Sequence, residues 1–360
     1  MPEPTGHPVL AVPSPGVELA AEAGNRARLQ AIASFLGACG WGDAAPKPLA
    51  ADASFRRYYR LYNGGRRAIL MDAPPPQEDV AAYVAISTLL RDLGFSAPEI
   101  FAEHRMAGFL LIEDFGDDTY TRLLDRGADE AALYMLAVDT LIELQRAAGA
   151  HDLAGLPSYD AARLLAEAAL LVDWYMPAII GKPLGDGLRD EYLALWRAVL
   201  PLAALPADTL VLRDYHVDNL MLLPHRFGVR GCGLLDFQDA VRGPPSYDLV
   251  SLLGDARRDV GIELRRAMTE RYLAAFPNLD RSAFLCSAAI LAAQRNCKIL
   301  GIFTRLWRRD DKPGYLVHLP RVWRLLERDL AHPALVSIAE WLDHYLPPGA
   351  RCTPVARAPA

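Results

Sequence analysis

The five cysteines, Cys39, Cys232, Cys286, Cys297 and Cys352, are scattered, odd in number and form no C-x-x-C pair. That excludes the usual spacings of a structural zinc site and offers no disulfide framework, so they read as free thiols of a reducing compartment. No run approaches the ~18 consecutive apolar residues of a membrane span. The first residues lack a basic stretch followed by an apolar one, so neither an anchor nor a secretory leader is expected. A basic stripe is missing too. With a formal net charge of −6, the chain does not look like a general nucleic-acid binder, and any phosphate it handles must be met locally. In 360 residues that are 52% hydrophobic and 23% charged, these absences leave a cytoplasmic globular protein with room for one large or two ordinary domains. No membrane, nucleic-acid or obligate protein partner is evident. Residues 1–20 and 347–360 are rich in proline and small residues without periodicity, and both ends are expected to be loose.

The most informative stretch runs from Leu212 to Asp248. It holds Leu-Arg-Asp-Tyr-His-Val-Asp-Asn-Leu-Met-Leu and then, from Leu234, Leu-Leu-Asp-Phe-Gln-Asp-Ala-Val-Arg-Gly-Pro-Pro-Ser-Tyr-Asp. Asp214 and Asn219 stand in R-D-x-x-x-x-N, the arrangement in which a loop Asp accepts the proton of an attacking hydroxyl while an Asn five residues on reaches a metal ion. Asp236 follows the apolar Gly233-Leu234-Leu235, as a residue at the end of a buried strand would, where a carboxylate can hold Mg²⁺ against nucleotide phosphates. Met221-Leu222-Leu223 and Gly233-Leu234-Leu235 flank residues 224–231, a β-hairpin signal that would set Asn219 beside Asp236. Turn residues and a strand-end Asp give the same letters singly; the order and spacing of all three point to phosphoryl transfer.

Upstream, residues 26–37 have helical apolar spacing, and two β-like pieces, 55–62 and 67–71, are separated by the hairpin signal Asn63-Gly64-Gly65. An amphipathic helix is expected over 78–93, then strands near 99–102 and 109–113. This order predicts a small antiparallel sheet with a single helix on it. After Gly116 the pattern turns to long helices over 130–145, 159–175, 188–204, 262–275, 281–305 and 317–330, interrupted by the catalytic hairpin. The expectation is a two-lobed α+β enzyme, with a nucleotide-covering lobe at 21–116, a helical lobe at 117–346 and the nucleotide in the cleft between them.

Taken together, Asp52-Ala53-Ser54-Phe55-Arg56-Arg57-Tyr58-Tyr59-Arg60, Met71-Asp72-Ala73-Pro74-Pro75, Leu235-Asp236-Phe237-Gln238-Asp239-Ala240, Tyr247-Asp248-Leu249-Val250-Ser251-Leu252-Leu253 and the stretch around Gly301-Ile302-Phe303-Thr304-Arg305-Leu306 carry a resemblance. The chain resembles the aminoglycoside phosphotransferase family of kinase-like enzymes over most of residues 25–345. Within it, the likeness is to kinases that phosphorylate cell-wall amino sugars, N-acetylmuramate and N-acetylglucosamine, at the anomeric hydroxyl in peptidoglycan recycling. The resemblance implies a bilobal protein-kinase-like fold, ATP and Mg²⁺, Asp214 as base, and Asn219 and Asp236 as metal ligands. It also implies a turn over the ATP phosphates from Asp52 to Arg57, including Ser54, Phe55 and Arg56, adenine contacts at Glu113 and Phe115, and Asp248 as a brace of the catalytic loop.

The chain departs from a protein kinase in two ways. Its phosphate loop is not Gly-rich, so Ser54, Arg56 and Arg57 must share the phosphates with backbone N–H groups. The third strand reads Ala68-Ile69-Leu70-Met71 with no Lys, and the helix around Val84 carries no partner Glu on its interior. Arg57 and Arg60 are the nearest replacement cations; either is equally a solvated strand-face arginine. His216 is a contact to phosphate or sugar, or a loop His bonded to backbone. Asp218, within the loop, and Asp239, just beyond Asp236, are further candidate substrate contacts. Arg295 and Lys298 share a helical face with Arg305 beyond them, and would either bind the carboxylate of an acidic sugar or form a solvated basic face. Two other functions fit the same letters: a kinase of an aminoglycoside, choline or similar alcohol, and a catalytically inactive nucleotide-binding protein.

Overall fold

The computed structural model describes residues 15–49, 55–205 and 208–355. The chain divides into two compact units, Met1–Ala81 with Ile100–Asp114, and Ala82–Glu99 with Phe115–Ala360. The first holds helix α1 (Pro15–Ala38) and five strands: β1 (Lys47–Pro48), β2 (Arg57–Asn63), β3 (Arg66–Asp72), β4 (Ile100–His104) and β5 (Phe109–Ile112). They form one antiparallel sheet in the order β1-β2-β3-β5-β4. The β2–β3 hairpin closes at Asn63↔Arg66 through Gly64 and Gly65, whose φ of 54° and 84° are the left-handed pair that a two-residue hairpin turn requires. Ile32, Phe35 and Leu36 of α1 pack with Trp41, Leu61, Leu70, Phe109 and Leu111 to form this unit's core. Arg28 bonds Asp72 at 2.6 Å, and its guanidinium lies 4.0 Å from the centre of the Phe109 ring.

The helix expected on the sheet over 78–93 forms as α2 (Val80–Asp92), but from Ala82 onward it belongs to the second unit, not to a lobe ending at 116. The Tyr83 ring lies 4.9 Å from Phe237, the Ser96 hydroxyl donates to the Arg230 carbonyl at 2.7 Å, and Leu234 N–H donates to the Ser96 carbonyl at 2.8 Å. These contacts tie α2 and the turn after it to the hairpin of residues 220–234. The sheet's own helix is α1, which reaches back to Pro15 and into the stretch expected to be loose. Its Glu18, Ala20, Ala21, Glu22 and Ala23 are strong helix formers.

The second unit holds α3 (Tyr120–Asp125), α4 (Glu130–Ala148), α5 (Ala161–Ala168), α6 (Met176–Ile180), α7 (Asp186–Val199), α8 (Ser246–Leu253), α9 (Ile262–Ala275), α10 (Arg281–Asp310), α11 (Leu319–Leu330) and α12 (Val336–Tyr345). Two short ladders pair β6 (Thr209–Val211) with β9 (Val241–Gly243), and β7 (Leu220–Leu222) with β8 (Cys232–Leu234). The long α10 starts at Asp280, whose carboxylate caps the N–H groups of Ser282 and Ala283. Leu291, Cys297, Leu300 and Phe303 from α10 join Tyr192, Trp196, Trp323 and Trp341 in the main core. No helix among the described residues is long and apolar enough to cross a membrane.

The C-terminal stretch from Pro347 to Val355 is held, contrary to expectation. The Tyr175 hydroxyl donates to the Cys352 carbonyl at 2.6 Å, Arg351 pairs with Glu327 at 2.8 Å and with Asp343, and its guanidinium stacks 5.2 Å from the Trp323 ring. Composition concealed this because a single Arg and a single carbonyl supply the anchor.

Gly301 of α10 faces the Leu170 backbone just after α5. A Cβ there would sit 2.3 Å from the Leu170 carbonyl group, next to a π-helical turn, Leu171–Tyr175. Helix propensity alone favours Ala over Gly by about 1 kcal/mol, whereas the clash predicts the opposite sign. Gly301→Ala should destabilise by about 1–3 kcal/mol and lower the thermal denaturation midpoint; a raised midpoint would show that the contact yields.

Candidate active site

The site is built where β6 runs into the loop 212–219, and where the β7–β8 hairpin delivers its two ends. Leu220↔Leu234 and Leu222↔Cys232 are register partners, so Asn219 and Asp236, one residue before β7 and two after β8, come together as the hairpin signal required. Leu235 N–H donates to the Asn219 carbonyl at 2.9 Å, and Asn219 Nδ2 lies 3.5 Å from Asp236 Oδ2. The same Nδ2 donates to the Asp214 carbonyl at 2.9 Å, which fixes the amide. Arg213 and Asp236 both have left-handed backbones, with φ of 70° and 57°. Such conformations cost an L-residue energy and persist where the surroundings impose them.

What imposes the turn at Arg213 is Asp248, in the first turn of α8. Its fully buried carboxylate accepts from the N–H of Leu212 at 2.6 Å and of Arg213 at 2.9 Å. Burial raises its pKa to about 7 against the lowering effect of those two donors.

Asp214 is half-buried. Burial pushes its pKa up, but the cations Lys298, Arg295 and Arg213 outweigh it and the net shift is down, so the carboxylate is ionised at neutral pH. His216, 5% exposed, is held neutral by burial, with Arg257 and Arg295 adding to the effect against Asp255 and Asp214. Its Nε2 lies 3.4 Å from Asn219 Nδ2, and its Nδ1 has no hydrogen-bond partner among the described residues. That leaves a buried ring nitrogen beside Asn219, not a histidine bonded to backbone.

The remaining expected residues are spread. Asp218 accepts from Thr121 and pairs with Arg257 at 3.2 Å. Asp239 is exposed and 3.5 Å from Gln238 Nε2, which donates to Asp236 at 2.9 Å. Lys298 is not a free cation: its ammonium donates to Glu167 at 3.1 Å. Arg295, 7% exposed, lines a cavity of about 170 Å³ with Arg265, Asn296, Arg328 and Asp329. Their two side chains thus have different surroundings despite sharing a helical face. Phe115 packs against Gly233 of the hairpin, where a Cβ would come within 2.9 Å of the ring, and the Arg226 guanidinium sits 5.1 Å from its centre.

In the first unit, Ser54 lies outside the described residues. Phe55 is 65% exposed, its N–H donating to Glu78 at 3.1 Å, and Arg56 lies 3.9 Å from the same carboxylate. Arg57 opens β2 on the exposed side. Arg60 is buried and pairs with Asp114, through Nε at 2.9 Å and Nη2 at 3.0 Å. This places Arg60 against the connector residue next to Glu113, as one member of a two-point ion pair.

Glu167, Thr121, Arg257 and Gln238 were not foreseen. Gln238 follows Asp236 by two residues, but the others are joined to the motif only through the fold, and Glu167 lies 46 positions from Arg213 and 131 from Lys298. Among the described residues no three His, Cys, Asp or Glu side chains gather as a metal site. A divalent ion here would take one carboxylate and one amide oxygen, with phosphate oxygens completing the shell, the donor set that suits Mg²⁺.

The family model for the phosphotransferase enzyme family matches residues 46–285. An N-acetylmuramate/N-acetylglucosamine kinase of Caulobacter vibrioides is 38% identical over 353 residues, 89% of this chain and 97% of its own. One of Pseudomonas aeruginosa is 39% identical over 90% of this chain and 98% of its own. Among solved structures, the GDP complex of aminoglycoside 2'-phosphotransferase-IIIa superposes with a TM-score of 0.54 at 18% identity, covering 80% of this chain and 92% of that one. A choline kinase from Streptococcus pneumoniae gives 0.53 at 13%, over 76% and 90%. The fold is therefore the bilobal kinase-like one, and the chain belongs to the phosphotransferase enzyme family.

Proposed function

We propose that the chain is an ATP-dependent kinase of N-acetylmuramate and N-acetylglucosamine, acting on the anomeric 1-hydroxyl. The observation that carries the acceptor is the identity, 36% to 39%, to four curated kinases of these sugars across most of the chain. The chemistry is supported by an ionised Asp214 next to an Asn219–Asp236 pair.

In this reading Asp214 accepts a hydrogen bond from the acceptor hydroxyl and orients its oxygen toward the γ-phosphorus. A new O–P bond forms, the bond from the γ-phosphorus to the β,γ-bridging oxygen breaks, ADP leaves, and the hydroxyl proton ends on Asp214. A depressed pKa makes Asp214 a weak base. That suffices where the transition state is loose and the proton moves late, so the main contribution is alignment. Asn219 Oδ1 and Asp236 would hold Mg²⁺, which when bound neutralises charge on the β- and γ-phosphates. Arg57 remains the candidate for the phosphate cation missing from β3, since Arg60 already serves Asp114. Neutral His216, with its orphan Nδ1, is suited to a single hydrogen bond with the acceptor or the transferring group.

The direct test measures ADP release with N-acetylmuramate, N-acetylglucosamine, choline and kanamycin, reading product linkage by phosphorus NMR. Turnover confined to the two sugars, with a 1-phosphate product, is expected; preference for choline or kanamycin overturns the acceptor. Asp214→Asn should cut kcat roughly 10²-fold or more while leaving ATP affinity nearly intact, and a variant keeping a large fraction of turnover would reject the base. Asp236→Ala should abolish the Mg²⁺-dependent part of ATP binding in calorimetry, and unchanged affinity for Mg·ATP would remove its metal role.

A further inference from the structure

Glu167 sits at the end of α5 with its side chain 12% exposed, and its carboxylate is the meeting point of four donors. Oε1 accepts from Arg213 Nη2 and from Lys298 Nζ at 3.1 Å. Oε2 accepts from the Tyr159 hydroxyl at 2.5 Å and faces Gln294 Nε2 at 3.3 Å. An ionised carboxylate has about four lone-pair sites, so Glu167 is saturated. One oxygen is shared by two cations, themselves 14% and 11% exposed.

The same two cations border the candidate base. Arg213 precedes Asp214 in the chain, and Lys298 exerts the strongest charge effect on the Asp214 carboxylate. Yet among the described residues no hydrogen bond or ion pair to the Asp214 side chain is formed by either; both guanidinium and ammonium turn to Glu167. A buried ammonium left with no other acid nearby would close on the remaining carboxylate, because attraction grows as water is excluded. An Asp214 oxygen paired in that way could no longer receive the acceptor hydroxyl.

We propose that Glu167 is a positioning residue that draws Lys298 and Arg213 onto itself and so keeps the oxygens of Asp214 open to the acceptor hydroxyl. The hydrogen bonds of both cations go to Glu167. Tyr159 and Gln294 fix the far oxygen, which stops the carboxylate from swinging toward the loop. The inference rests on Asp214 being the base, and not on which alcohol is phosphorylated.

The test is a double-mutant cycle on Glu167→Gln and Lys298→Met, following both sugar phosphorylation and the slow Mg²⁺-dependent hydrolysis of ATP by water, with thermal denaturation of each variant. Glu167→Gln should lower kcat about tenfold or more, within the range a displaced catalytic group gives, with the KM for ATP little changed. Glu167→Asp, which keeps the charge, should retain more activity. The double variant should recover turnover above that of Glu167→Gln, because no ammonium remains to occupy Asp214. A plain packing role predicts the reverse: the double variant as slow as Glu167→Gln or slower, which overturns the proposal, as does wild-type kcat in Glu167→Gln. If Glu167→Gln does not fold, the double variant and Glu167→Asp decide: an active double variant supports the proposal, and a folded but inactive one rejects it. A wild type that hydrolyses ATP but ignores both sugars would overturn the acceptor while leaving the cycle readable in the hydrolysis assay.

Discussion

Asp248 accepts hydrogen bonds from two successive backbone N–H groups, Leu212 at 2.6 Å and Arg213 at 2.9 Å, and the geometry of the site follows from that. Both N–H groups converge on one carboxylate just where the chain enters the left-handed residue Arg213. The turn projects Asp214 in one direction and the Arg213 side chain in another, toward Glu167. Burial alone would make ionised Asp248 costly, as its raised pKa of about 7 shows, and the two donors offset that cost. Ser251, one turn further along α8, donates to the Arg213 carbonyl at 3.2 Å, so the helix holds both sides of the strained residue.

The second constraint is electrostatic. Asp214 lies among cations delivered by separate elements: Arg213 by the loop, Lys298 and Arg295 by α10. With no Glu167 this would be a cluster of buried positive charge around one carboxylate, which the fold could relieve only by pairing them. Glu167 provides a second buried carboxylate, itself pushed up by burial but brought down further by Lys298 and Arg213. Of the two carboxylates that these cations share, only Glu167 is saturated. Protein kinases place a Lys–Glu pair beside the nucleotide; β3 of this chain reads Arg-Arg-Ala-Ile-Leu-Met-Asp and has none. Its buried Lys–Glu pair lies in the helical unit, beside the loop.

The legible features are those with a local cause. The β7–β8 hairpin follows from two apolar runs around a turn, and with it the approach of Asn219 and Asp236. Gly64-Gly65 marks the β2–β3 turn, and helical spacing gives α9 and most of α4, α10 and α11. What stayed hidden depends on long-range pairing. No spacing rule links Glu167 to Arg213, or Arg60 to Asp114 across 54 positions, and the helical period at 295 and 298 predicts a shared face without telling that one side chain ends on Glu167. The tail after Pro347 reads as loose by composition because a single buried arginine, Arg351, 6% exposed at its side chain, does the anchoring. The partition of α2 was equally beyond reach: its apolar stripe is plain, but the surface it meets is set by Tyr83 meeting Phe237 and Ser96 meeting the β7–β8 hairpin.

Fold and acceptor are carried by different evidence for a physical reason. One fold can carry different acceptor sites: a phosphotransferase of aminoglycosides and a choline kinase share this fold at under 20% identity to the chain. Acceptor choice is a difference of small contact energies spread over side chains that differ from one family member to the next. Identity of 38% over 89% of the chain bears on those side chains in a way that superposition at 18% does not. Around the loop the candidates for that discrimination are polar and already partly engaged: Asp218 with Arg257, Lys298 with Glu167. A new ligand group therefore competes with existing ion pairs and does not fill an empty charge. Such a site rejects a poorly matched acceptor strongly, because any pair that is opened and not replaced leaves a buried charge uncompensated.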